Sequence, residues 1–176
     1  LCIVAPSIVD YGTPEQVQAY ALPILRGEAT ACLGMSEPDA GSDLASLKTR
    51  AELDSDEWVI NGQKIWMTFG PHADWLYVLC RTDPSAPKHR GISMLLIPVD
   101  QPGVDIRPIR NIAGGLEFAE AFFTDARTRA DLVVGEPNAG WTVARATLGN
   151  ERVSIGGGAG GIAPASAWLV QLTRTH

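Results

Sequence analysis

The sequence has 176 residues, 45% of them hydrophobic and 19% charged, and a formal net charge of −6. That is room for one ordinary domain with a packed core. An acidic balance whose longest basic cluster is "PKHRG" argues against nucleic acid as a partner, which asks for clustered Lys and Arg.

No window resembles a membrane span, and the opening "LCIVAPSIVDYG" has neither a basic n-region nor an initiator Met. The far end, "WLVQLTRTH", stops soon after a helical run begins. Both ends read as cut, so an internal piece of a longer protein is expected. Cys2, Cys32 and Cys80 read as unpaired buried thiols in a reducing compartment. Neither they nor His72, His89 and His176 have metal-ligand spacing, so no metal is expected.

The first element is a helix in "YGTPEQVQAYALPILRGEA". Thr13 suits the N-cap, Pro14 the first helical position, and Gln16 completes a capping box. Pro23 is a breaker that would split the helix, and Gly27 a stop.

From Thr30 to Gly135 short β-type runs recur: "TACLGM", "LKTRAEL", "EWVINGQKIWMT", "WLYVLCRT", "ISMLLIPV", "VDIRPI" and "AEAFFTDAR". Turn chemistry in "DSDE", "ING", "DPSAPKHRG" and "DQPG" divides them. Without β-α-β alternation a parallel Rossmann sheet is not expected; a mainly antiparallel barrel or sandwich is.

Helical texture returns after "GEPNAGW", in "WTVARATLGNERVSIGGG". The glycines from Gly156 to Gly161 each cost up to about 1 kcal/mol of helix propensity against Ala and permit close approach of a neighbour. The predicted order is therefore helix (1–29), β-domain (30–135), helix (136–176), an α+β chain.

Two stretches carry candidate chemistry. "MSEPDAGSDLAS" presents backbone N–H groups with little side-chain obstruction, which suits a phosphate or a flat cofactor. A plain polar connection between strands would look the same. Thirty residues on, "NGQKIWMTFG" offers Trp66 and Thr68, which alternation puts on one strand face.

Five stretches in order resemble the acyl-CoA dehydrogenase family: "MSEPDAGSDLASLKTRA", "WVINGQKIWMT", "HADWLYVLCRTDPSAPKHRGISMLLIPVD", "PGVDIRPI" and "LVVGEPNAGWTVARATLGNER". The resemblance implies a middle β-barrel domain between two α-helical domains. This chain then holds the tail of the first, the whole barrel and the opening helix of the last. It looks most like the branch with "ER" after "TL", common among bacterial enzymes acting on bulky or branched acyl-CoAs.

The same resemblance implies the site. Ser36 matches a hydroxyl that hydrogen-bonds FAD near N5, with Leu33, Gly34, Met35 and Glu37 alongside. Trp66, Met67 and Thr68 match the second flavin-contacting segment, and Ser42 an acyl-CoA contact for which Gly41 leaves room. Glu151 matches one of two family positions for the base that removes the α-proton; the other would lie beyond residue 176. Such a base wants desolvation, which lifts a carboxylate toward working pH. Arg152 matches a CoA contact, beside Gly149 and Asn150.

The implied reaction is α,β-dehydrogenation of an acyl-CoA to the enoyl-CoA. An electron-transfer flavoprotein would be the acceptor, in a cytoplasmic homo- or hetero-tetramer. An acyl-CoA oxidase or flavin mono-oxygenase on the same fold, or a non-catalytic subunit, stays open.

Two departures stand out. Phe69 occupies a position where the family has asparagine or a small residue, and "FTDARTRADLVVGE" lacks the usual valine–proline pair. Without the C-terminal bundle the piece alone is expected to bind FAD poorly, turn over nothing, and expose a sticky face on "SAWLVQL".

Overall fold

A computed structural model describes residues 3–156. The stretch "SAWLVQL" and the glycines after Gly156 lie outside the described residues.

The chain opens with α1 (Val4–Tyr11) and continues into α2 (Pro14–Gln16), a π-helical turn (Val17–Ala21) and α3 (Leu22–Arg26). The Thr13 hydroxyl accepts from the Gln16 N–H, and the Gln16 side chain accepts from the Thr13 N–H, both at 3.2 Å. The capping box is thus complete. Pro23 does not split the helix as expected. The Leu22 N–H reaches back five residues to the Val17 carbonyl, and this wider turn sets Pro23 into the first turn of α3, where a missing donor costs little. Gly27, at φ 73°, closes the run: its N–H reaches Ile24 O at 3.1 Å and the Glu28 N–H reaches Pro23 O at 2.9 Å.

All seven predicted strand runs form strands: β1 (Ala31–Gly34), β2 (Arg50–Asp54), β3 (Glu57–Thr68), β4 (Trp75–Arg81), β5 (Ile92–Pro98), β6 (Val104–Ile109) and β7 (Phe118–Arg129). A two-residue β8 (Val133–Val134) adds to β5. "ING" is no turn. β3 runs straight through it with a register shift against β7, because Asn61 and Asp125 exchange hydrogen bonds across the irregularity at 2.9 and 3.0 Å.

The strands make one eight-stranded sheet in the order β6-β7-β3-β2-β4-β5-β8, with β1 on β4. Pairing is antiparallel except for β1 on β4 and a single β2–β4 position. The sheet curls until β5 meets β7, where the Thr128 hydroxyl donates to Leu96 O at 2.5 Å.

Curling makes two cores. Inside lie Ile60, Met67, Val78, Leu95 and Phe123; outside, Tyr77, Leu79, Met94 and Leu96 meet Val4, Ile8 and Ile24 of the leading helices and Val143. β4 and β5 are therefore buried on both faces, which is why they read as unbroken apolar runs. Val143 belongs to α4 (Gly140–Gly156), and the hydroxyls of Ser7 and Thr147 join α1 to α4 at 2.8 Å. Cys32 and Cys80 are free and buried. Among the described residues no helix is long and apolar enough to cross a membrane, and no cluster is suited to a metal.

Candidate functional site

The stretch after β1 is gripped from below by β3. Lys64 is fully buried, and its ammonium donates to Met35 O and to Glu37 Oε1, both at 2.9 Å. Glu37 also accepts from the N–H groups of Lys48 at 2.7 Å and Thr49 at 2.9 Å. Between them the Ile65 N–H donates to Ser36 O at 3.0 Å. Three consecutive residues, Met35 to Glu37, are thus fixed to one strand. Burial works against the Glu37 charge, but Lys64 and the hydrogen bonds prevail and hold its carboxyl below the ordinary value of 4.5. Burial dominates at Lys64 and lowers its pKa against the pull of Glu37.

Trp66 and Thr68 reach one cavity, though not by plain alternation. The register against β7 breaks between Lys64 and Met67, and Trp66 adopts the left-handed conformation at φ 63°. This bulge turns Met67 wholly inward and leaves Trp66 and Thr68 exposed on either side of it. The Trp66 ring meets Phe118 edge-on, 6.3 Å between centroids. Cys32 ties β1 to the end of β3, its thiol donating to Thr68 O at 3.1 Å. Burial pushes that thiol up to about 12, so it stays protonated and is no nucleophile.

Leu33, Met35, Ser36, Trp66, Thr68 and Glu151 line a cavity of about 470 Å³. Its far wall is α4, through Leu148 and the half-buried Glu151. Gly34 and Met67 lie beneath the lining: Met67 is in the inner core, and a Cβ on Gly34 would come within 3.2 Å of Val78. Ser42 sits on the exposed crest of its loop, outside the lining. Arg152 is exposed and lines a separate cavity with Tyr11, Arg145 and Leu148. One carboxylate, two hydroxyls and an open indole face make a site suited to a flat ring system and to proton removal beside it.

An antiparallel sheet curled beside helices, with such a cavity at the end of β3, defines a domain class. The family description "Acyl-CoA dehydrogenase, middle domain" matches residues 32–126. The chain belongs to the acyl-CoA dehydrogenase family. It is 54% identical over 151 residues to acyl-CoA dehydrogenase IpdE1 of Mycobacterium tuberculosis, covering 85% of this chain and 39% of that one. A solved structure described as the Tcur3481-Tcur3483 steroid ACAD superposes with a TM-score of 0.82 at 41% identity, over 86% of this chain and 39% of that one. The ChsE4-ChsE5 complex from Mycobacterium tuberculosis gives 0.79 at 40% identity, over 86% and 39%. The chain thus spans about two-fifths of these relatives' length.

Proposed function

We propose that this chain is the central part of an FAD-dependent acyl-CoA dehydrogenase that converts an acyl-CoA thioester to its enoyl-CoA. The observation that carries this reading is the meeting of Ser36, Trp66, Thr68 and Glu151, from three separated segments, around one cavity. The lining fits a flavin: Trp66, 61% exposed, offers its ring, and Ser36 and Thr68 offer hydroxyls. A bound FAD supplies the hydride acceptor.

The chain's own residues do the rest. Ser36 and Thr68 donate hydrogen bonds where electron density collects, and Trp66 orients the ring. Glu151 takes the α-proton, while Leu33, Met35 and Leu148 keep water from the carboxylate. Ser42 and Arg152, outside the cavity lining, contact the acyl-CoA. The likeness to a steroid ACAD supports a bulky acyl group, and the likeness to ChsE4-ChsE5 supports assembly with further subunits, as a homo- or hetero-tetramer. An electron-transfer flavoprotein takes the electrons onward. Free Cys32 and Cys80 support a reducing, cytoplasmic setting.

The test uses the full-length protein. Wild type should purify with FAD, and anaerobic addition of an acyl-CoA should bleach it. Glu151→Gln should keep FAD and acyl-CoA bound yet bleach about 10²–10⁴-fold more slowly, since the amide cannot accept the proton. Bleaching at the wild-type rate would move the base to another glutamate. A colourless full-length protein that acquires no FAD would end the flavin reading.

A further inference from the structure

Five non-glycine residues among those described have positive φ: Ser55, Trp66, Phe69, Asp125 and Asn138. Short polar side chains settle readily in this region at turns, so Ser55, Asp125 and Asn138 ask for no special account. A bulky aromatic is strained there, and a strained residue persists where function holds it. Both aromatic cases lie three residues apart at the end of β3, both are 61% exposed, and both line the same cavity.

Trp66 is absorbed by the flavin reading; Phe69 is not. The backbone around it is held without help from its ring. The Phe69 N–H donates to Glu117 O at 2.6 Å, and its carbonyl accepts from the His72 N–H at 3.0 Å. Asparagine, which tolerates this conformation, would make the same two bonds with less strain. An exposed phenyl ring on a strained backbone thus carries two costs that no contact among the described residues offsets. Its position suggests what does. Phe69, with Ala31 and Thr68, forms the wall shared by the 470 Å³ cavity and a neighbouring one of about 320 Å³, lined by Ile24, Ala29 and His72 among others.

We infer that Phe69 is a ligand-contacting residue: its ring lies against the flat ring system bound in the larger cavity and limits how far that ligand extends into the smaller one. The inference rests on the flavin reading, with FAD as the flat ligand.

The experiment is FAD titration of the full-length apoprotein, followed by fluorescence quenching, beside the thermal midpoint of the apo form. Phe69→Asn should raise that midpoint by about 2–4 °C through relief of strain. It should also weaken FAD binding about three- to tenfold through loss of the aromatic contact. Phe69→Leu keeps the strain and loses the ring, so its affinity should fall similarly without a rise in midpoint; it decides the matter if the Asn variant does not fold. FAD affinity equal to wild type in the folded variants would overturn the role of Phe69 and leave the flavin reading standing. Wild type that fails to bind FAD would remove both.

Discussion

Strand β3 carries ion pairs toward both ends, similar in geometry and opposite in setting. Near its end Lys64 and Glu37 meet at 2.9 Å with side-chain exposures of 0% and 7%. At its start Arg127 meets Glu57 at 3.0 Å and Asp54 at 3.2 Å, with exposures between 39% and 59%. Distance does not separate the two; surroundings do. Water and salt screen the outer cluster, and its members lose little when a partner goes. The inner pair has given up its hydration, so each charge depends on its few partners. Those partners include Met35 O and two backbone N–H groups of the loop, which makes the inner pair a clamp on the cavity wall.

The sharpest way to break this contrast is Lys64→Met, which strands the Glu37 carboxylate in the interior. Chemical denaturation of the full-length protein should show a loss of about 3–5 kcal/mol. Adding Glu37→Gln should restore part of it, since a neutral amide strands no charge and its single oxygen still accepts from one of the Lys48 and Thr49 N–H groups. A single variant that loses less than the double one would contradict the clamp.

A smaller effect separates the pairs by pH. Because folding lowers the pKa of Glu37, its contribution is fully present above the ordinary value of 4.5 and is lost as pH falls through the lower folded value. Stability measured downward from pH 5 should therefore drop less steeply in the Lys64→Met/Glu37→Gln protein than in wild type. Identical acid slopes would show that other carboxyls control the transition. Smallest of all, Arg127→Ala should leave the denaturation midpoint close to that of wild type, and closer still in high salt. A loss as large as that of Lys64→Met would dissolve the distinction between the two clusters.

Much of the β-domain was legible because each strand states its own burial. Unbroken apolar runs marked β4 and β5, covered on both faces, and alternation marked β3. Alternation carried one further message. Trp58 and Ile60 point inward, and the same spacing sends Lys64 inward too, so a lysine that reads as surface is the buried one. Finding its partner required the loop to fold back from Glu37, twenty-seven positions away, which no local pattern contains. The bulge at Trp66 was hidden for a related reason: no glycine or proline announces it. Two-residue β8 exists only because β5 offers it an edge. In the site, Ser36, Trp66, Thr68 and Glu151 share a cavity, whereas Gly34 and Met67 lie beneath it and Ser42 and Arg152 beside it. Motif order gave identity of segments but not which way each side chain faces.

The Gln16 side chain has a consequence for how the chain is made. Its amide donates to Asp131 O at 2.7 Å and Val133 O at 2.8 Å, across 115 and 117 positions. A ribosome adding about 5–20 residues per second needs roughly 6–23 s to travel that distance. For most of that interval Val4, Ile8 and Ile24 have been made while Leu132, Val134 and Val143 of the same core do not yet exist. The leading helices therefore wait without these three partners, and nascent chains halted before residue 131 should be captured by a holding chaperone more than chains carried past residue 143.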